Sequence, residues 1–463
     1  MAEVIRENIG NLHDKLIINV SKELYMPSVE KSLKEYAKKA TIPGFRKGMV
    51  PTGMIRKMYG QSTLYDEVTR KASYLLEEYL KKENLSIFGS PMVLPRNQPL
   101  PLDINKPVDV EFEFEIGLKP EFDIASVISA ATINRYTIIV DDKLIDNEIE
   151  RLKIQHGVKE YKEIISDKDD YVYLNTKLEG EVESEHETDD QNNPEEADVE
   201  IELSKLPIKI QEILMGKTKG ETLLFIPGEV TSESELDAFL ADTLKMSDDK
   251  SNENIEIKIV NIASVKPLEM GEELFTKVYN NPEIADETSF REQLQKELTA
   301  EFNRITNERL QNEIFELLVH NTNISLPIPF LKRWLMEGGE NVKTVEEVEN
   351  EFGSFEHQLR WQLITDKIII ENKLNVSREE VEETVKAQVL NYFGIGNAES
   401  KAWLDSYVDK VMKDKKMLEE TYLNIMSQKI FVFLETQFKF KDTVIEEAEF
   451  FKLQNAHAAH HHH

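Results

Sequence analysis

Residues 42–51 of the chain read Ile-Pro-Gly-Phe-Arg-Lys-Gly-Met-Val-Pro, with two glycines and two prolines in ten residues. This density of glycine and proline predicts a tight loop rather than a helix or a strand. Phe45 at its tip can enter an apolar cleft, and the adjacent Arg46 and Lys47 can contact carboxylates or phosphates. The loop is therefore a candidate docking element for an acidic partner. An ordinary interhelical turn with solvated cations is the alternative.

The segments on either side of this loop predict a small α+β domain. Apolar residues in strand-like or alternating order predict strands at 16–20 and 108–116. Apolar residues at helical spacing predict amphipathic helices at 28–39 and 52–80. Strand, helix, basic loop, helix and strand together make a predicted domain over residues 1–118.

The chain is strongly acidic, but its charge is divided unevenly. Its 463 residues include 56 Lys and Arg against 87 Asp and Glu, a net charge of -31. Residues 1–60 carry 11 basic and 6 acidic residues, whereas residues 161–263 carry 10 basic and 27 acidic residues. The two segments therefore have net charges of +5 and -17. An acidic body repels nucleic acid, which excludes general coating of RNA or DNA and leaves the basic end for any RNA contact.

Patterns after residue 118 predict a linker strand and helix over 119–160, a second small α+β domain over 161–263, and all-α helical arms over 264–450. The fold class is thus multidomain α+β. The charged segment 181–196 is expected to be a mobile loop. The predicted strands are 133–140, 171–178, 199–203, 222–226 and 255–262, and the predicted helices are 141–155, 290–319, 330–340, 354–373, 378–393 and 399–438.

Histidine and cysteine usage bears on metals and location. The chain has no cysteine, which excludes disulfides, thiolate nucleophiles and cysteine-ligated metals. Five of its ten histidines, His457 and His460–His463, lie in residues 451–463, which we interpret as a disordered or tag tail. The first residues lack a signal-peptide pattern, and no run approaches the ~18 apolar residues of a membrane span. A cytoplasmic protein is expected.

Sequence motifs for nucleotide binding, zinc proteolysis and serine hydrolysis are absent. We therefore expect no catalytic residue, no cofactor, no physiological metal and an ATP-independent action.

The string Gly-Phe-Arg-Lys-Gly at 44–48, followed by Val-Pro at 50–51 and preceded by a strand and a basic helix, resembles the signature of bacterial trigger factors. The flank Met-Tyr-Gly at 58–60 and the segment 265–275 are similar to the same family. Trigger factors are chaperones that bind the ribosome at the exit of the nascent-chain tunnel.

This resemblance implies ribosome docking by Gly44, Phe45, Arg46 and Lys47. Met49 departs from the family pattern, in which another basic residue is common there. The implied partners are protein and RNA at the ribosomal tunnel exit and unfolded nascent polypeptides, with no membrane. A homodimer off the ribosome is left open. The resemblance also implies that the helical arms pack beside the docking domain.

In trigger factors the middle domain usually resembles the FK506-binding proteins, which catalyse prolyl cis/trans isomerisation in an aromatic-lined pocket. The turn at 216–221 matches the family, which places 207–212 over its Ile-Pro-Gly-Phe-Glu run without the glycine and the aromatic. Asn-Thr at 175–176 replaces an Asp-Phe pair, and 255–259 is aliphatic where phenylalanine is frequent. We expect a degenerate isomerase-like domain, with an active peptidyl-prolyl isomerase as the alternative. A periplasmic chaperone of similar composition is a third hypothesis, which the missing signal peptide disfavours.

Most apolar residues of the helical arms are expected to form a core, and a minority to line a surface for unfolded chains. The candidate substrate-binding aromatics are Trp334, Phe352, Phe355, Tyr392, Phe393 and Trp403.

Overall fold

Contacts divide the chain into two compact units, Met1–Arg135 with Asn307–Thr443, and Tyr136–Thr306 with Val444–His463. The limits of these units differ from the domain boundaries predicted from the sequence. Those boundaries stay a prediction. Among the residues described, no helix is long and apolar enough to cross a membrane. The computed structural model describes residues 4–43, 45–46, 48–95, 100–179, 197–247, 250–338, 342–392 and 402–460.

The N-terminal domain is a four-stranded antiparallel sheet with two helices on one face. Its elements are β1 (Val4–Gly10), β2 (His13–Val20), α1 (Lys22–Lys39), α2 (Thr52–Lys82), β3 (Ile87–Val93) and β4 (Val110–Leu118). The strand order is β1-β2-β4-β3. α1 begins six residues before the predicted start because Tyr25 is fully buried and its hydroxyl donates to the carbonyl of Val108 at 2.8 Å.

Strand β3 was not predicted, because Gly89 and Pro91 looked like helix terminators. Both residues lie where the register with β4 shifts between Phe88 and Met92. Gly89 has a φ of 55°, and β3 is an edge strand, where a proline without an N–H is tolerated.

Successive residues of β4 point to opposite faces of the sheet. Phe112, Phe114 and Ile116 face the helices α1 and α2, and the residues between them face the other way. On that second face lies α10, a helix of the C-terminal region. The helices of this region within the same unit are α10 (Ile328–Glu337), α11 (Val345–Asn372), α12 (Arg378–Tyr392), α13 (Ala402–Val411) and α14 (Lys415–Gln437).

The contact between α10 and the sheet is close and partly ionic. A Cβ on Gly117 would lie 2.3 Å from Cδ1 of Phe330, so only glycine permits this approach. Arg333 Nη1 donates to Glu115 Oε1 at 2.5 Å, and Glu115 is only 4% exposed. One helix of the predicted arms, α10, thus packs on the sheet of the predicted docking domain.

A two-stranded sheet joins β5 (Thr132–Ile138) to β11 (Lys439–Ile445), and the short helix α3 (Ala125–Ala130) precedes β5. Arg135 Nε donates to Asp442 Oδ1 at 2.6 Å across this pair. β5 was predicted, whereas β11 was not, because Asp442 is 307 residues from Arg135 and nothing local marks the pairing.

The second unit is built around an antiparallel sheet. Its elements are α4 (Asp142–Gln155), β6 (Val158–Lys162), β7 (Tyr171–Leu178), β8 (Val199–Glu202), α5 (Ile208–Leu214), β9 (Thr222–Phe225), α6 (Pro227–Val230), α7 (Glu233–Ala238), β10 (Ile255–Lys266), α8 (Glu272–Tyr279), α9 (Glu287–Asn321), which continues into the first unit, and α15 (Glu447–His460). The strand order is β6-β10-β7-β8, with β9 also on β10. All four strands predicted for residues 161–263 are present.

Two predictions about charged or terminal segments fare differently. The expected mobile loop 181–196 lies outside the described residues. The expected disordered tail begins at residue 451, but α15 runs on to His460. Phe450 is fully buried and its ring lies 5.8 Å from that of Phe451, so this part of the predicted tail is helix.

Candidate functional site

The candidate docking loop, residues 42–51, connects α1 to α2. α1 ends with Lys38 and Lys39 in its last turn, where cations interact favourably with the helix dipole. Two apolar residues anchor the ends of the loop in the N-terminal core: Val50 is 5% exposed, and Ile42 packs partly against the same cluster. The N-terminal core thus fixes the two ends of the loop.

The middle of the loop is a compact turn. The N–H of Phe45 donates to the carbonyl of Ile42 at 3.1 Å, and the N–H of Met49 donates to the carbonyl of Arg46 at 2.9 Å. Gly48 has a φ of 83°, a conformation that side chains rarely adopt.

The side chains of the loop are presented to solvent. Phe45 is 39% exposed, Met49 is 72% exposed, and Arg46 is exposed as well. Gly44 and Lys47 lie outside the described residues. For the described half of the predicted site, the side chains of Phe45 and Arg46 are exposed.

Further exposed apolar residues lie on α1 and α2, of which the sequence singled out only Met58 and Tyr59, as part of the flank similar to the family. The rings of Tyr36 on α1 and Tyr59 on α2 stack with centroids 6.0 Å apart. Met54 and Met58 are 38% and 52% exposed and lie four residues apart, one helical turn, on α2. That i, i+4 spacing of methionines was the signal available in the sequence.

One acid of the helix pair, Glu67, and one of the neighbouring strand β2, Asp14, are buried. Glu67 is 6% exposed and accepts a hydrogen bond from Ser32 Oγ at 2.6 Å. Asp14 is 2% exposed and pairs with Arg6 at 2.7 Å. The exposed cations of the helices and the loop include Lys31, Lys34, Lys38, Lys39, Arg46 and Lys57.

On β10 of the middle sheet, the residues where the resemblance implied a degenerate pocket are aliphatic and buried. Ile255, Ile257 and Ile259 are at most 1% exposed and pack under α5, whose Ile210 is also buried. Thr176 donates to the carbonyl of Leu244 at 3.3 Å. These side chains fill a core.

The segment 161–263 contains five aromatic residues, and they fall into two groups. Phe225 and Phe239 are core residues with rings 6.3 Å apart. Tyr161, Tyr171 and Tyr173 lie on the other face of the sheet. On that face Lys159 hydrogen-bonds to Glu200, which raises the pKa of the lysine above its ordinary value. Burial raises the pKa of the Tyr173 hydroxyl.

The turn at 216–221, between α5 and β9, is stabilised by hydrogen bonds between its own residues. Gly216 and Gly220 have φ values of 80° and 84°. Glu221 accepts hydrogen bonds from the N–H of Thr218 at 2.9 Å and from Lys217 Nζ at 3.0 Å. These donors lower the pKa of the Glu221 carboxyl to about 2.

Of the six candidate client-binding aromatics, Trp334, Phe352 and Phe355 belong to one core cluster, and the rings of Phe352 and Phe355 lie 6.0 Å apart. Phe352 is 7% exposed inside the core of the helical region, so the prediction that it is exposed is wrong. Trp334 and Phe355 are half-buried against the same core, and Trp334 also covers Gly89, where a Cβ would lie 2.5 Å from its Nε1. Tyr392 is 85% exposed. Phe393 and the side chain of Trp403 lie outside the described residues.

Comparisons with known proteins agree with the sequence signature. The family model "Bacterial trigger factor protein (TF)" matches residues 2–152, and "Probable trigger factor, C-terminal domain" matches residues 306–454. The chain belongs to the trigger factor family.

Individual relatives match along nearly the whole chain. A trigger factor from Halorhodospira halophila is 20% identical over 451 residues, covering 96% of this chain and 96% of the relative. One from Salinibacter ruber is 22% identical over 430 residues, covering 88% and 87%. One from Marinobacter nauticus is 23% identical over 458 residues, covering 90% and 98%. A solved trigger factor chaperone structure, 19% identical, aligns over 93% of this chain and 98% of that chain with a TM-score of 0.45.

Proposed function

We propose that this protein is a cytoplasmic, ATP-independent chaperone that docks at the ribosomal tunnel exit and shelters nascent polypeptides. The observation that carries the proposal is the docking loop: Phe45 and Arg46 are exposed on a turn whose ends are anchored in a core. The matches to the two trigger factor models on either side support it.

The charge distribution supports a docking mode with a defined orientation. The exposed cations of the helix pair and the loop can contact acidic protein side chains or RNA phosphates. The rest of the chain is strongly acidic and is repelled by RNA. Binding through few cations is weak and falls as salt rises, which suits a chaperone that must leave the ribosome.

Client binding is assigned to exposed apolar residues of the helical region. Tyr392 remains a candidate from the predicted set, and Ile370 and Leu423, at 74% and 58% exposure, extend it to aliphatic residues. Scattered apolar residues with a polar surround bind chains of many sequences weakly. Release is then fast because no single contact is strong.

The docking assignment is tested by co-sedimentation of the protein with ribosomes. The variant Phe45→Ala, Arg46→Ala, Lys47→Ala is expected to lose affinity by about tenfold or more, since hot-spot residues dominate such contacts. Lys217→Ala with Lys219→Ala is the matched control, because these lysines occupy a turn with the same glycine spacing in the middle domain. Unchanged binding of the triple variant, or equal loss in the control, would contradict the assignment.

We further propose that the middle domain is an isomerase-like scaffold without useful isomerase activity. Catalysis of this reaction requires a shaped apolar pocket that favours the twisted amide over the planar one. The support is that Phe225 and Phe239 pack in the core and the three tyrosines lie on the opposite face. A protease-coupled assay on a short proline peptide should show the uncatalysed rate with the full chain. Clear acceleration would favour the active-isomerase alternative.

A further inference from the structure

Three side chains with metal-ligating atoms meet where the end of α9 lies beside α11. Glu316 and His320 are four residues apart on α9, and His357 is on α11. His320 Nε2 lies 2.8 Å and His357 Nε2 lies 3.5 Å from the same carboxylate oxygen, Oε2 of Glu316. One ligand atom from each residue lies within 4.8 Å of the others.

The oxygen atoms at this place lack the hydrogen bonds that burial normally demands. Glu316 Oε2 is buried and accepts no hydrogen bond of ordinary geometry from the described residues, although both imidazoles are near. Thr322, 2% exposed, has a hydroxyl without a hydrogen-bond partner among the described residues. Leaving buried polar atoms unsatisfied costs about 1–3 kcal/mol each, so an unseen partner is expected.

A cavity of about 510 Å³ opens beside the cluster. Thr322, His320 and His357 line it, together with Arg360 and Glu356. Arg360 is engaged with Glu356, its Nη2 lying 2.7 Å from Oε1, so this cation is held by a neighbouring acid. The cavity leaves room for a water molecule next to His320 and His357, two of the three residues of the cluster.

A helix ion pair explains only part of this arrangement. A glutamate and a histidine four residues apart often pair on a helix surface. Such a pair does not account for the approach of His357 to the same oxygen. His357 is also oriented by Phe315, whose ring meets the imidazole edge-on at 5.2 Å.

Two imidazoles and one carboxylate form a ligand set that zinc uses in sites with an open fourth position. Zinc bonds of about 2.0–2.2 Å in a tetrahedron place ligand atoms roughly 3.3–3.6 Å apart, which small side-chain rotations achieve here. We propose that Glu316, His320 and His357 bind one zinc ion with water as the fourth ligand. The ion joins the end of α9 to the middle of α11 and so braces the helical region.

The test measures zinc affinity by competition with a chromophoric chelator. Because the terminal histidines also bind zinc, the parent protein for every measurement carries His457→Ala and alanine at 460–463. This parent is expected to bind one zinc ion per chain. His357→Ala is expected to weaken that binding by about tenfold or more, as loss of a ligand does. The matched control His156→Ala, in the other unit, is expected to bind like the parent.

A second readout separates ligation from misfolding. Zinc should raise the unfolding temperature of the parent, because it binds the folded state alone, and should not raise that of Glu316→Gln. Circular dichroism must show the same helix content in both. Cobalt in place of zinc should give the intense visible absorption of a tetrahedral site only in the parent. Absence of stoichiometric zinc in the parent, or full affinity in a folded His357→Ala variant, would overturn the proposal.

Discussion

The docking loop and the turn of the middle domain share backbone features but differ in what surrounds their side chains. In both, two glycines enclose three residues, at 44–48 and at 216–220. The second glycine has nearly the same left-handed φ in each, 83° for Gly48 and 84° for Gly220. The next residue closes both turns by donating its N–H three residues back, at 2.9 Å for Met49 and 3.2 Å for Glu221.

The two turns differ in what becomes of their cations. In the middle domain, Glu221 accepts hydrogen bonds from Lys217 Nζ and from the N–H of Thr218. The N–H of Gly220 donates to the carbonyl of Ile259 on β10 at 2.8 Å. At the position equivalent to Glu221 the docking loop has Met49, which is 72% exposed. The middle-domain turn thus pairs one of its cations with its own carboxylate, whereas the docking loop has an apolar residue at that position.

Placing a carboxylate at that position should convert the docking loop into a closed turn. Met49→Glu is expected to reduce ribosome affinity by about tenfold at low salt, because the new acid pairs with the loop cations and repels phosphates. Co-sedimentation over a range of salt concentrations measures this. The loss should shrink as salt rises, since exposed charges are screened.

Two further changes at the same residue isolate the effect of charge. Met49→Gln, which keeps length without charge, should bind nearly like the unaltered protein. Met49→Lys should bind more tightly, because it adds a cation to the exposed group. If glutamine weakened binding as much as glutamate, the side chain of Met49 itself would make the contact and the comparison of the turns would fail.

The docking loop could be predicted because its signals are local. Glycine and proline set the chain direction within ten residues. Residues at the tip of a short turn have few neighbours and therefore face solvent. The buried ends could be inferred less well. Val50 is a core residue because of α1 and α2, and its neighbour Met49 is equally apolar yet exposed. Apolar character alone does not separate the two.

Which of the candidate client-binding aromatics are exposed could not be predicted, because exposure depends on contacts with residues distant in sequence. Phe352 on α11 and Tyr392 on α12 are both aromatic residues of helices, but Phe352 lies in a core whereas Tyr392 is 85% exposed. Which face of a helix is covered depends on how the helices pack, which periodicity alone does not give. The strand β11 was missed for the same reason, since its partner β5 lies about three hundred residues earlier.

The shared left-handed glycine gives a second way to test the comparison. Gly48→Ala and Gly220→Ala should each destabilise the protein by about 1 kcal/mol, since a Cβ strains this conformation. Space is not the cause: the position of a Cβ on Gly48 has only the carbonyl oxygen of Lys38 within reach, at 3.5 Å, and that on Gly220 has nothing within 4 Å. Urea unfolding followed by circular dichroism measures the change.

The control for these substitutions is Gly53→Ala in the first turn of α2. Its φ lies outside the left-handed region, and a Cβ there would meet nothing within 4 Å. Alanine favours helix over glycine, so this variant should be unchanged or more stable by about 0.5 kcal/mol. If all three variants lost the same stability, the φ values would not explain the two turns. If only Gly220→Ala lost stability, the docking loop would be free to change its backbone.

The smallest effect is expected from the acid that closes the second turn. The pKa of Glu221 is lowered from 4.5 to about 2, chiefly by the N–H of Thr218 and then by Lys217. Its charged form therefore stabilises the folded protein above pH 4.5, and the contribution is lost as pH falls towards 2. The unfolding temperature of Glu221→Gln should lie slightly below that of the unaltered protein at neutral pH. The difference should shrink between pH 4.5 and 2 and then vanish.

Thr218→Val shows which donor matters in that turn. It removes the hydroxyl, which donates to Glu221 at 2.9 Å, and keeps the backbone N–H, which donates at the same distance. Since the N–H is the larger cause of the lowered pKa, the valine variant should keep most of the pH-dependent difference from its own Glu221→Gln double variant. Loss of the whole difference would mean that side chains, rather than the glycine-set backbone, hold the carboxylate. The two turns would then share only their glycine spacing, because the docking loop contains no threonine whose hydroxyl could donate to a carboxylate at position 49.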